Sequence, residues 1–551
     1  MKRNLALLAG AKFDLVVIGG GVSGAATARE AALRGLKVAL VEARDFASGT
    51  SSRSSKLIHG GLRYLAQREF RLVREARRER RLLAKLAPHL VQPLPFLLPI
   101  YHGDPYSPLK IRAGLALYDW LGNLGREDRH RFYGPAETLR RAPALKGETL
   151  RAGAVYYDSL TDDSRLTLEY VLDAAEHGAV AANYAEIRSF SLAAGAARIE
   201  RAEVVDRLTG RTYGIEARLW VNAAGPWVDK VRALVPGYDG SRTIRTTKGV
   251  HLILPCVSER YALFAAVPRG KRIFLLVPWQ GHSLLGTTDT EYEGAPEAVE
   301  AAAEDIEYLL QALNHILRVP VKRGNILGIF AGLRALVVEA GKEPSDNTRE
   351  YRFHRDPWAA NLITVCGGKL TTARALAENL VDWVAPDLPA AAMRPESYGR
   401  SSSSTPLPGG CLAGFTNFAG FVRAAREEAS RQFSIPPETA ERIIRTYGSR
   451  WRKALALIRE QRSLAEPLPG TAGVLAAEAV FSIREEMATT VEDFLLRRSG
   501  LSWMSCVYPR AATAVVDVFS KELSWSAEAR QCALTNYERA IHNCRKVAAA
   551  S

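Results

Sequence analysis

Residues 13–42 read FDLVVIGGGVSGAATAREAALRGLKVALVE, and this stretch decides the fold. It opens on a continuous apolar, β-branched run, the pattern of a strand buried on both faces. Gly19-x-Gly21-x-x-Gly24 then turns the chain into a segment that sets Ala25, Ala28, Ala32 and Leu33 toward the sheet as one helical face. KVALVE returns as a second strand ending on Glu42, which completes a right-handed βαβ unit. Glycines at those positions allow a tight turn and let a pyrophosphate approach the amides and positive dipole of the helix N-terminus. An acid at position 42 accepts the hydroxyls of an adenosine ribose and argues against a 2′-phosphate. The pattern predicts an α/β fold with a Rossmann-type dinucleotide domain, without separating nicotinamide from flavin.

A second strand, turn and helix is expected at 361–384. There CGGKLTT (366–372) opens a helix whose Ala373, Leu376, Ala377, Leu380 and Val384 make one apolar face. A triphosphate loop requires glycine at 363 and Ser or Thr at 370, but these positions hold Ile363 and Leu370. A long cofactor held at both ends fits better. Reduced flavin carries negative charge near N1 and the C2 oxygen, which a helix N-terminus beside Lys369 would stabilise. The competing reading is a helix capped by Thr371 or Thr372, with Lys369 in solvent. Between the two units, LWVNAAGPW (219–227) reads as another buried strand ending in a Gly-Pro turn.

Two further stretches carry charge that a small ligand could use. SSRSSKLIHGGLRYL (51–65) leads through small hydroxyls to a Gly-Gly turn with His59, Arg63 and Tyr64, and Arg63 can offer a two-pronged fork to phosphate or carboxylate. FAGLRAL (330–336) places Arg334 in an apolar segment, where an arginine without an anion is costly. Each arginine alone is more often a structural ion pair than a ligand contact.

A chain of 551 residues exceeds one core, so two or three domains are expected. GVHLILP (249–255) and RIFLLVPW (272–279) suit a sheet-built substrate domain, YGRSSSSTPLPGG (398–410) reads as a linker, and the helix-forming remainder has no chemical motif. No run approaches the ~18–20 apolar residues of a membrane span, and the N-terminal leucines are too few for a secretory signal. Cytoplasmic placement is expected. The six cysteines form no C-x-x-C pair, which points to reduced thiols and to no metal site. The formal net charge of +15 calls for an anionic partner: nucleic acid, anionic lipid or a phosphorylated substrate. REFRLVREARRERR (68–81) has seven arginines and three glutamates, and Leu72, Val73, Ala76, Leu83 and Leu86 continue a helical apolar spacing; it reads as a solvated face laced with Arg–Glu pairs.

Taken together, IGGGVSGA, SSKLIHGGLRYL, EFRLVREA, WVNAAGPWV, KGVHLILP, LGTTDTEY, GLRAL, GGKLTT and EMATTVEDFLLRRSG follow one another from about residue 13 to about residue 500. In these motifs and their order the chain resembles the FAD-dependent glycerol-3-phosphate dehydrogenases. The resemblance implies a D-amino-acid-oxidase-like FAD domain (1–100, 150–245 and 325–400), a β-sheet substrate domain (101–149 and 246–324), a linker (401–410) and a helical cap (411–551). It implies oxidation of sn-glycerol 3-phosphate to dihydroxyacetone phosphate, with Arg63, Arg334 and Lys369 around the substrate and His251 and Tyr64 beside them. Cofactor contacts are expected from Gly19, Gly21, Gly24, Glu42, Thr50, Ser51, Gly225, Gly368, Lys369, Leu370 and Thr371. Either His251 or Lys369 could serve as base. Ala335 stands where the family pattern has proline, which would leave the backbone at Arg334 less rigid. The resemblance further implies electron transfer to a membrane quinone from a peripheral, monotopic position on anionic lipid. The alternatives are an oxidase reducing oxygen to peroxide, for whose extra insertion the motif spacing leaves little room, and a basic flavoprotein acting on nucleic acid. The chain has no helix-turn-helix or basic-aromatic stacking signature, so no nucleic acid is expected. A homodimer is compatible with the sequence.

Overall fold

The computed structural model describes residues 1–62, 69–105, 107–122, 129–266, 273–338, 350–388, 401–412, 414–471, 473–504 and 510–545. Its first sheet is ordered Arg352–Asp356, Ala359–Cys366, Thr212–Asn222, Lys12–Ile18, Val38–Val41, Val180–Ala182. From Ala359–Cys366 to Val180–Ala182 the neighbours run parallel, and the hairpin Ala185–Leu192/Ile199–Asp206 joins antiparallel to Thr212–Asn222. Register aligns Ile18 with Val41 and with Asn222, and Asn222 with Thr364, so the carboxyl ends of four strands share one edge. Ligands of open parallel sheets bind outside that edge.

The first helix, Val22–Leu33, is buried along its whole length from Gly24 onward, not on one face as its alanines suggest. It lies between the helices Asp163–Glu176 and Ala373–Val384, and the small side chains let both come close. Arg29 is consequently interior and depends on Asp173 and on the carbonyls of Ser402 and Thr405.

The second sheet is mainly antiparallel. One long ladder joins Ile244–Leu254 to Gly328–Val337, pairing His251 with Phe330 and Thr247 with Arg334. The helix Ala303–Ile316 covers one face with Ile306, Leu309, Leu310, Leu313 and Ile316. The sheet boundaries differ from the expected domain limits: Leu150–Leu160 and Gly328–Val337, both assigned to the FAD part, lie in the second sheet. The described residues beyond 411 form helices around a separate core that includes Phe421, Trp451, Phe481 and Val515.

Two expectations from composition are corrected. Segment 401–410 is not a free linker, because Arg374 donates to the Ser402 hydroxyl, Leu407 donates to the carbonyl of Leu86, and Gly409 donates to Glu169. Its polar residues serve buried partners. The helix Phe70–Leu86 buries the expected apolar face but also Arg77, Glu79 and Arg80. Glu79 takes a two-pronged bond from Arg374 at 2.7 Å, and Arg77 stacks on Tyr118 at 3.9 Å, so these charges pair across the fold and not along the helix.

Candidate active site

The shared strand edge of the first sheet faces the second sheet across a cavity of about 800 Å³. One end is made mainly of backbone. Gly19 has φ +108°, and a Cβ there would lie 2.7 Å from the Ala223 carbonyl oxygen; a Cβ on Gly24 would lie 1.9 Å from the Gly19 carbonyl oxygen. Gly21 precedes the first helix and offers no side-chain cap, while Val22 N–H donates to Ser51 Oγ at 2.9 Å. Glu42 is interior. Its carboxylate accepts from Gly20 N at 2.6 Å and from Arg44 N at 2.8 Å, and burial raises its pKa while those two bonds oppose the rise. Thr50, Ser51 and Gly225 line the same cavity.

The second turn meets the cavity from the side. Gly367 and Gly368 have φ of +77° and +109°, conformations that side chains rarely adopt, and they bring the chain to the N-terminus of Ala373–Val384. Thr372 makes no side-chain cap, and the Thr371 hydroxyl instead accepts from His59 N at 3.2 Å. Gly368, Lys369, Leu370 and Thr371 all line the cavity, and the Lys369 ammonium is buried and not in bulk solvent. Arg334 and His251 line it as well. Arg63 and Tyr64 lie outside the described residues.

Arg334 is held from several directions. Its guanidinium donates to Thr287 Oγ1 at 3.0 Å, to the Thr288 carbonyl at 3.2 Å and to Asp289 at 3.1 Å. The ladder pairing of Ala335 with Thr246 fixes the backbone that the missing proline left in question. His251 is 3% exposed, stacks on Phe330 at 4.9 Å, and shares a 2.9 Å hydrogen bond between Nε2 and Ser55 Oγ. Burial first, and then the charges of Arg334 and Lys56, hold its pKa down at about 3. Lys56 and Asp289 were not singled out from the sequence. Lys56 is buried, bonded to Asp163 at 2.6 Å, with its ammonium 5.6 Å from the rings of both Trp279 and Phe330. A lysine placed directly before the apolar Leu57-Ile58 strand was the available clue; nothing local marks Asp289 as the partner of Arg334.

These residues fit FAD. The cavity has the volume of a large ligand site. Glycines forced by close contact approach the pyrophosphate position, Glu42 is available to a ribose, and Lys369 with the second helix N-terminus suits the electron-rich part of the ring. Residues 14–383 match the family described as FAD dependent oxidoreductase, and residues 401–530 match the C-terminal domain of alpha-glycerophosphate oxidase. The chain is 35% identical over 545 residues to the aerobic glycerol-3-phosphate dehydrogenase of Staphylococcus epidermidis, covering 97% of this chain and 95% of the relative. It is 34% identical to the Bacillus subtilis protein of the same name, covering 96% and 95%. Among solved structures, the glycerol-3-phosphate dehydrogenase from Bacillus halodurans complexed with FAD superposes with a TM-score of 0.78 at 29% identity, over 98% of this chain and 96% of that one. The L-alpha-glycerophosphate oxidase of Mycoplasma pneumoniae, at 19% identity and a TM-score of 0.52, covers 68% of this chain and 95% of its own and shares the fold.

Proposed function

We propose that this chain, which belongs to the family of FAD-dependent glycerol-3-phosphate dehydrogenases, oxidises sn-glycerol 3-phosphate to dihydroxyacetone phosphate. The observation that carries the reading is the meeting of Arg334, Lys369 and His251 in one cavity with two cofactor-type turns. FAD, when bound, supplies the acceptor for the C2 hydride. Arg334 and Lys369 are cations suited to the phosphate and to the oxygen that gains charge as the hydride leaves. Arg63 and Tyr64 are proposed to join them.

His251 is proposed as the base for the C2 hydroxyl proton. It is neutral at ordinary pH, so it has an acceptor lone pair, whereas a lysine ammonium can only donate. Its basicity is suppressed partly by Arg334 and Lys56. An anionic substrate offsets that field and raises the proton affinity of His251 when it binds. The test is anaerobic: the visible flavin band of the purified protein should bleach on addition of sn-glycerol 3-phosphate, and in His251→Gln the bleaching should slow by about 10²-fold or more. A band that ignores the substrate would remove the reading.

Electrons are proposed to pass to a membrane quinone, with the protein seated on the cytoplasmic face of an anionic bilayer. Arg71, Arg74, Arg78, Arg81 and Lys85 form an exposed stripe on Phe70–Leu86. On and beside that helix, Phe70, Leu109, Leu117 and Trp120 are exposed, Leu109 at 79% and Trp120 at 72%. Apolar side chains fringed by cations suit a lipid interface. No helix among the described residues is long and apolar enough to cross a membrane. Co-flotation with phosphatidylglycerol vesicles, abolished by Trp120→Glu with Leu109→Glu, would support this seat; equal flotation of the double variant would exclude it.

A further inference from the structure

We infer that the C-terminal helical domain is a clasp on the adenosine end of the cofactor cavity, and that Arg497 and Arg498 set cofactor affinity by holding Asp45. The inference rests on FAD occupying the cavity as described above.

Asp45 follows Glu42 by three residues. Arg44 and Ser48, on either side of it, line the cavity, yet Asp45 itself is fully buried and points away from it. Its charged partners come from some 450 residues later in the chain. Arg497 Nε donates to Asp45 at 2.5 Å, Arg498 donates through two nitrogens at 2.7 and 2.9 Å, and Asn183 Nδ2 adds a bond at 3.2 Å. Two adjacent arginines reach one carboxylate because Asp493–Arg498 is wound as a π-helix, with Ser499 N donating to the Phe494 carbonyl at 2.8 Å. This i→i+5 bonding widens the turn and brings neighbouring side chains nearer to one face.

The same segment holds the adjoining cavity wall. Asp493 accepts from the Tyr184 hydroxyl at 2.7 Å, and the Met487 carbonyl accepts from Asn183 at 2.8 Å. Tyr184 N donates to the Arg44 carbonyl and Ala185 N to the Glu42 carbonyl, each at 2.7 Å, and Ala185 begins the Ala185–Arg188 stretch that lines the cavity. Ala47, at φ +63°, closes the loop by donating to the Gly20 carbonyl at 3.0 Å, beside the glycine turn. The loop carrying Glu42 is thus fixed in front by the glycine turn and behind by the two arginines. Neither arginine lines the cavity, so both act as positioning residues through Asp45. Removing them leaves a buried carboxylate without its counter-charges three residues from Glu42, and the loop must open to hydrate it.

The test is ligand binding to apo-protein, followed by calorimetry and flavin fluorescence, with FAD, ADP and FMN as separate probes. Arg498→Met and Asp45→Asn should weaken FAD and ADP by about tenfold or more, while FMN, which lacks the adenosine half, changes by less than about twofold; Arg498→Lys should recover part of the loss. Tyr184→Phe removes one hydroxyl of the same clasp and should shift ADP in the same direction by a smaller factor, which keeps the proposal open to refutation if the arginine variant fails to fold. Unchanged FAD and ADP affinity in the folded variants would overturn the clasp, as would a parallel loss of FMN. Wild-type protein that binds no FAD would instead overturn the cofactor reading beneath it.

Discussion

The two ends of the cavity are built from different materials. At the adenosine end the ligand surface is backbone: glycines that tolerate no Cβ, helix amides, and one carboxylate fixed by two amides. At the proposed substrate end it is side chains: Arg334, His251 and Lys369 come from segments far apart, Arg334 held by Thr287, Thr288 and Asp289 and His251 by Ser55. Backbone surfaces are dictated by local sequence and fail all at once. Side-chain surfaces depend on distant partners and fail by degrees.

That contrast can be broken first at its rigid end. Gly24→Val would drive a side chain into the Gly19 carbonyl, and the protein should purify colourless; a variant that retains a full complement of FAD would show that the turn can yield. At the other end, Arg334→Ala should leave the flavin spectrum intact while lowering kcat/KM by about 10²- to 10³-fold, since about 2–5 kcal/mol accompanies loss of one partner of a buried charge contact. Steady-state kinetics decide, and a loss of cofactor here would erase the distinction between the ends. Asp289→Asn keeps the shape but removes the ion pair at 3.1 Å, and should cost a smaller factor, about tenfold, mainly in KM; no change would mean that Thr287 and Thr288 suffice to aim the arginine.

The smallest expected effect concerns pH. The His251 pKa of about 3 lies below its ordinary value of 6.5, so the unfolded chain takes up this proton at higher pH than the folded one. The resulting stability is complete above pH 6.5 and is lost as pH falls from there toward 3. In thermal melts His251→Gln should flatten the acid side of that dependence, and kcat/KM of the wild type should show no His251 inflection near 6.5. An inflection there that disappears in the variant would contradict the low value.

What the sequence revealed follows the same division. The βαβ unit and the 366–372 turn were legible because Gly19, Gly367 and Gly368 mark backbone conformations that other residues resist, and Gly24 a contact that leaves no room for a Cβ. The line-up of Arg334, His251 and Lys369 became visible only through many motifs in order, since no spacing rule links positions 251, 334 and 369. Lys56, Asp289 and the Asp45–Arg498 pair were missed because their meaning lies in partners 107, 45 and 453 residues away along the chain. The arginine-rich helix was misread for the opposite reason: charge spacing suggested pairs within one helix, and the fold spent Glu79 on Arg374 instead.

The strand order of the first sheet also bears on how the protein is made. Lys12–Ile18 leaves the ribosome about 200 residues before one neighbour, Thr212–Asn222, and Ala359–Cys366 beyond it follows later still. At ~5–20 residues per second this apolar strand waits on the order of ten seconds or more for its lateral partner. During synthesis the βαβ unit therefore exists with both outer strand edges open, since Val180–Ala182 is also still to be made, and shielding of those edges by a chaperone is expected to favour a productive chain.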